Sequence, residues 1–275
     1  MTGVAPGAVA WFEIGTTDPE ATEAFYGGLF GWTFELDPDA TADGPGSGFG
    51  SGHGRIVAPG AAEPMGALDL LTNGHTDGSA LRILAADVEA TAGTVESRGG
   101  TLVAPPADDG GGALVAHVRD PLGNVVALVS GPGDAPAVEP GRFARFEIGS
   151  TDMDATRRFY ERAFGWTFTS TGDGYYFDVR CPEAREVSGG LWDQSAGGDD
   201  YATFSILTEA MKPTAGRARK LGARQLAPAS RNPAGVITTR LVDPAGAQFG
   251  LVVLPSAPDA GDAEGGGRGP NGNEG

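Results

Sequence analysis

Residues Trp11 to Phe34 read WFEIGTTDPEATEAFYGGLFGWTF, and residues Arg145 to Phe168 read RFEIGSTDMDATRRFYERAFGWTF. At an offset of 134 residues, fifteen of the 24 paired positions are identical, a match that composition alone does not produce, so the chain carries a tandem duplication. Each copy opens with strand-like alternation. Asp18 or Thr17 then stands where a side chain can accept from free helical N–H groups, with Pro19 suited to the first turn. Ala21, Ala24, Phe25 and Leu29 recur at helical spacing, and Gly31 delivers the chain into a strand over Trp32 to Leu36. Thr151/Asp152, Phe159, Ala163 and Gly165 repeat the design.

Further strands follow each copy: Arg55 to Pro59 and Met65 to Leu71 in the first, Tyr175 to Arg180 and Ser188 to Asp193 in the second. A second unit completes each half, with helices over Val88 to Arg98 and around Pro213 to Leu221. In both, an Asp-Pro-x-Gly turn (Asp120 to Gly123, Asp243 to Gly246) joins the last two strands as a hairpin. The chain therefore reads as an α+β protein of four βαβββ units in two pairs. Residues 1–130 form one domain, 131–141 a Pro/Gly-rich linker and 142–255 a second domain; 256–275, with almost nothing apolar to bury, form a disordered tail. The Gly-rich stretch Asp37 to Gly54 reads as disordered, with a lid as the alternative.

Composition narrows the partners. A formal net charge of −17, with no stripe of Lys or Arg, argues against nucleic acid and anionic membranes, and no apolar run is long enough to span a bilayer. The start lacks a basic, apolar signal segment, which makes the cytoplasm the default compartment. Cys181 is the only cysteine, so an intramolecular disulfide is excluded and a structural role is expected. No GxxxxGK[ST], GxSxG or HExxH motif occurs.

The strand–Thr/Asp–helix–Phe-Tyr–Phe-Gly-Trp pattern (Asp18, Phe25-Tyr26, Phe30-Gly31-Trp32; Asp152, Phe159-Tyr160, Phe164-Gly165-Trp166) and the two hairpins resemble the vicinal oxygen chelate superfamily of glyoxalases, bleomycin-resistance proteins and extradiol dioxygenases. More narrowly, they resemble its tandem two-domain actinobacterial members. The resemblance implies that each pair of units curls an eight-stranded mixed sheet, flanked by helices, around a cavity. It also implies a divalent metal held by His, Gln or Glu. The positions that match those ligands hold Trp11, Ala80 and Ala127 in the first half and Arg145, Thr203 and Gly250 in the second. Neither set supplies converging N and O donors, so the expected cofactor is none, a divalent metal being disfavoured and no residue assigned as a metal ligand.

Alternation along a strand puts Glu13 on the face of Trp11, and Glu147 on that of Arg145. The same register brings Arg82 and Ser205 to the facing units, with His117 and Arg240 before the hairpins. These eight residues are the candidate ligand-binding set: Trp11 as a stacking plate, Arg145 and Arg240 as anion-binding forks, and Glu13 or Glu147 as the catalytic base if the protein is an enzyme. The competing reading is structural. Glu13 pairs with Arg82, and Glu147 with Arg145 or Arg240, as buried ion pairs, while His117 is a packed residue rather than a base or lone ligand. His53 and His75 are expected in solvated loops, Phe25, Phe159, Trp32 and Trp166 in helix–sheet packing, and the Tyr26 and Tyr160 hydroxyls turned to solvent. The favoured function is binding of a small aromatic or polycyclic organic ligand for sequestration, by a monomer or homodimer. The alternatives are an enzyme of the same fold acting on a natural-product-like substrate, with a metal held unusually (by Glu13 and His117, for instance) or with no metal and a cavity Glu as base, and a scaffold with collapsed cavities that serves only in protein association.

Overall fold

A computed structural model describes residues 3–36, 53–71, 78–109, 112–131, 133–134, 141–172, 174–232 and 234–255. The expected disordered tail, His75, most of the linker and nearly all of the Asp37 to Gly54 loop lie outside the described residues, as does the side chain of His53.

The first half comprises β1 (Gly3–Val4), β2 (Val9–Thr16), α1 (Pro19–Phe30), β3 (Thr33–Leu36), β4 (His53–Val57), β5 (Gly66–Leu70), β6 (Gly78–Leu84), α2 (Val88–Ser97), β7 (Thr101–Asp108), β8 (Leu114–Arg119) and β9 (Val125–Val129). After β10 (Gly133–Asp134), which pairs with β1, the second half comprises β11 (Phe143–Ser150), α3 (Met153–Phe164), β12 (Thr167–Ser170), β13 (Tyr176–Arg180) and β14 (Gly189–Asp193). It continues through β15 (Tyr201–Leu207), α4 (Met211–Lys220), β16 (Arg224–Gln225), β17 (Ser230–Arg231), β18 (Ile237–Val242) and β19 (Gln248–Val253).

The first sheet has eight strands in the order β3-β4-β5-β2-β6-β9-β8-β7; the second repeats this as β12-β13-β14-β11-β15-β19-β18-β16. In both, the two units join through an antiparallel pair of their first strands, β2 with β6 and β11 with β15. The second sheet has nine strands rather than the expected eight, because the counterpart of the eight-residue β7 is broken into β16 and β17. Pro228, which has no N–H to give to a ladder, lies in the break. There Gln225 and Thr239 use side chains to reach the carbonyl of Ala227.

Local chemistry sets the helices where the sequence puts them. Asp18 and Asp152 accept from Ala21 N at 3.0 Å and Ala155 N at 2.9 Å, and Asp87 accepts from Ala90 N at 2.9 Å. Gly31 and Gly165 end α1 and α3 at φ 74° and 72°, a conformation that costs a glycine nothing. α4, without a side-chain cap, begins at Met211, two residues ahead of the expected Pro213.

One apolar core serves both halves. Phe12 of β2 and Phe204 of β15 stack at 4.0 Å, and the core runs through Phe25, Tyr26, Phe159, Tyr160, Trp32 and Trp166. The aromatic motifs thus pack helix on sheet as expected, and they also bind the halves to each other. Trp32 Nε1 donates to the Gly141 carbonyl at 2.7 Å, and Trp166 Nε1 to that of Gly7 at 2.6 Å. Gly7 and Gly141 are themselves 134 residues apart, so the duplication is expressed as a reciprocal clasp. Among the described residues, no helix is long and apolar enough to cross a membrane.

Candidate functional site

Alternate residues leave this core for the opposite face of each sheet. Phe12, Ile14, Leu81, Ile83, Ala116 and Val118 enter the core, which turns Glu13, Arg82 and His117 to the other side. There Glu13 binds two partners at once: Arg82 Nε lies 2.7 Å from Oε1, and His117 Nε2 lies 2.7 Å from Oε2. Asp69 of β5 completes the group, its carboxylate within 4.8 Å of the donor atoms of Glu13 and His117. Glu13 and Asp69 have no exposed surface, His117 is 1% exposed and Arg82 4% exposed.

Burial alone would push the Glu13 carboxyl upward, but His117 and Arg82 overcome it and hold the group far below the usual carboxylate range. Burial likewise opposes a charge on His117, yet the Glu13 carboxylate and its hydrogen bond, with Asp69 beyond, raise the imidazole above its ordinary value. Glu13 is therefore ionised and His117 favours its charged form. The expected Glu13–Arg82 pair is present, and His117 belongs to the same network instead of standing alone. Trp11 sits on this face directly opposite Arg82 and packs, half-buried, with Leu84, Val115, Ala127 and Val129. Its indole is part of a small apolar cluster.

The residues at the expected ligand positions do not fit a metal: Ala80 and Ala127 are buried methyl groups, Gly250 has no side chain, and Thr203 spends its hydroxyl on the carbonyl of Gln248. The expectation that neither half gathers donors needs correction all the same, because Glu13, Asp69 and His117 converge at other positions of the first half. Asp69 was missed by the sequence reading. A carboxylate inside the otherwise apolar strand GALDL was the available signal, since acidic groups are rarely buried without a partner.

The second half uses the same register differently. Arg145, opposite Ser205 on the strand ladder and buried, reaches toward β14 and β13, to the Gly189 carbonyl at 3.1 Å and the Tyr176 hydroxyl at 3.4 Å, with Asp178 at 3.9 Å. Glu147 forms no ion pair with Arg145 or Arg240; it accepts from the Tyr201 hydroxyl at 2.7 Å through Oε1. The expected pairing fails because Tyr201 lies between the charges: the Arg240 guanidinium is stacked on its ring, 3.5 Å from the centroid. Gly149, directly opposite Tyr201, makes this possible, since a Cβ there would collide with the ring.

These groups border a pocket of about 130 Å³. Its wall includes Glu147, Trp192, Gln194, Tyr201 and Arg240, with Ala227 and Pro228 from the break in the edge strand. Arg240 Nε and Nη1 are buried there without hydrogen-bond partners. Arg145 and Ser205 are not among the lining residues, while the two aromatic plates, Trp192 and Tyr201, were not singled out in the sequence. Elsewhere, Cys181 is buried and burial raises its thiol pKa, which keeps it protonated.

Comparison with known proteins agrees with the fold. A family model described as the glyoxalase/bleomycin resistance protein/dioxygenase superfamily matches residues 8–128, and one described as a glyoxalase-like domain matches residues 145–252. An anthracycline biosynthesis protein of Streptomyces peucetius is 31% identical over 183 residues, which span 62% of this chain and 66% of that relative, just under two thirds of its length. A Mycobacterium tuberculosis protein provisionally named a glyoxylase is 28% identical over 260 residues, 92% of this chain and 96% of the relative. Among solved structures, a Mn(II)-bound glyoxalase from Novosphingobium aromaticivorans superposes with a TM-score of 0.60 at 17% identity, covering 92% of this chain and 83% of that one. A 2,3-dioxygenase from a Pseudomonas species gives 0.61 at 14% identity, covering 94% and 96%. At such identities the structural likeness speaks for the fold.

Proposed function

Because both halves of the chain belong to the glyoxalase/bleomycin resistance protein/dioxygenase superfamily, we propose that this protein sequesters a small aromatic ligand in the pocket of its second half, with no metal ion at that site. The observation that carries the reading is the pairing of Tyr201 and Arg240 beside Glu147 and Trp192 in a pocket of about 130 Å³. An apolar cavity of roughly 150 Å³ accepts a benzene ring, so this volume suits a single ring and not a polycycle lying wholly inside. Trp192 and Tyr201 offer apolar faces to that ring.

The polar groups define its substituents. Among the described residues no carboxylate touches the Arg240 cation, which favours an anionic or carbonyl oxygen on the ligand. Glu147 keeps Oε2 free of hydrogen bonds among the described residues, which favours a ligand hydroxyl. The ligand class is thus an aromatic ring bearing a hydroxyl beside an acidic or carbonyl oxygen, whether a free single-ring compound or the end of a larger molecule. The relative named for anthracycline biosynthesis supports an aromatic ligand.

Calorimetric titration with hydroxybenzoates and hydroxyquinones, against benzyl alcohol as a neutral control, tests this. Binding should weaken at least tenfold in Arg240→Gln and in Trp192→Phe and stay unchanged in Trp11→Phe. A panel without any binder, or binding indifferent to Arg240 and Trp192, would overturn it.

A further inference from the structure

The geometry points to a divalent-cation site in the first half, formed by Glu13, Asp69 and His117. It lies in the other half from the aromatic pocket and does not depend on it. The three donors come from three strands, β2, β5 and β8, and meet on one face of the sheet with essentially no exposed surface. The ligand atoms all lie within 4.8 Å of one another. The closest pair, Glu13 Oε2 and His117 Nε2, is 2.7 Å apart. Two ligands at about 2.1 Å from an ion span such an edge at an angle of about 80°, and Asp69, within 4.8 Å of both, has to swing toward them to complete the set.

Charge is compatible with this. Glu13 and Asp69 bring two carboxylates and Arg82 one guanidinium, with Asp109 3.7 Å from Arg82 Nη1. A divalent ion between Glu13 Oε2 and His117 Nε2 takes the place of the proton that these two atoms share. Arg82 does not compete with it. Arg82 Nε holds Glu13 by Oε1 and leaves Oε2 aimed at His117, which is how an outer partner orients a ligating carboxylate. Two oxygen donors and one imidazole select an ion such as Zn²⁺, Mn²⁺ or Fe²⁺; the absence of sulfur disfavours Cu⁺, and so few oxygens disfavour Ca²⁺.

Untagged full-length protein is stripped with a chelator and dialysed against Zn²⁺ or Mn²⁺, with stoichiometry read by mass spectrometry and affinity by calorimetry. One ion per chain is expected, with affinity at least tenfold lower in Asp69→Asn and unchanged in Glu35→Gln, whose carboxylate is exposed on β3. Loss of a buried charge can itself unfold the half, so the wild-type protein is also loaded with Co²⁺, whose visible absorption should depart from that of the hydrated ion. Substoichiometric metal in both dialyses with a hydrated-ion Co²⁺ spectrum would overturn the site, as would stoichiometric binding that folded Asp69→Asn leaves intact.

Discussion

The phenol of Tyr160 donates to Asp120 Oδ2 at 3.1 Å across the boundary between the two halves. Tyr160 belongs to the duplicated Phe-Tyr motif and Asp120 to the hairpin of the opposite half, so these two sequence signatures are partners. The expectation of a solvent-facing hydroxyl is overturned for both tyrosines: Tyr26 and Tyr160 have no exposed surface. Burial, with Asp120 beside it, pushes the Tyr160 hydroxyl well above its ordinary pKa and keeps its proton in the bond. Tyr26 stands beside Asp243 in the symmetric place, and its hydroxyl is raised by the same causes.

Tyr160→Phe should cost about 1 kcal/mol. Asp120 Oδ2 keeps its bond from Asn124 Nδ2 at 2.9 Å, so the acceptor is not left bare. Urea unfolding should show a lower midpoint with an unchanged slope.

A fragment ending at Asp134 should not persist as a compact monomer. Phe12, Trp32 and Tyr26 face a core completed by Phe204 and Phe249 of the second half, and the fragment would leave that surface in water. Size-exclusion chromatography should find self-association or an expanded chain, and a well-packed monomer would contradict the shared core.

The two glutamates should differ sharply in what they contribute to stability. Glu13→Gln leaves Arg82 and His117 buried without their anion and should cost roughly 3–5 kcal/mol. Glu147→Gln keeps an amide oxygen to accept from Tyr201 and loses only the charge on that bond at a half-buried position, so it should cost about 1 kcal/mol or less. Denaturant titration of both variants checks the contrast.

In chelator-stripped protein the Glu13–His117 pair should give stability a plateau with two limbs. The folded-state pKa of His117 is raised, so its contribution is complete below the unfolded value near 6.5 and is lost as pH rises through the folded value. That of Glu13 is depressed, so its contribution is complete above about 4.5 and fades as pH falls toward the folded value. Thermal unfolding across pH should lose its alkaline limb in His117→Gln, at the expense of a lower plateau.

Gly149→Ala should abolish binding in the aromatic pocket. The added methyl collides with the Tyr201 ring, and moving that ring removes the plate under Arg240 and the hydroxyl on Glu147. Calorimetry should show at least a tenfold loss of affinity with the far-ultraviolet spectrum retained.

The duplication, the Asp-capped helices, the two Asp-Pro-x-Gly hairpins and the side of the strand on which Glu13 and Glu147 lie were all legible in the sequence. Each rests on chemistry within a few residues: a cap three positions from its donor, a turn of four residues, a pleat of period two. Of what the charges do, only the Glu13–Arg82 pair was legible. Glu13 meets a histidine 104 positions away and Glu147 a tyrosine 54 positions away. Those meetings depend on the register between strands remote in the chain, as do the arrival of Asp69 beside Glu13 and the gap opened at Pro228. The same local pattern therefore yields a sealed ionic group in one half and an open aromatic pocket in the other, because burial and partners are properties of the assembled sheets and not of any one strand.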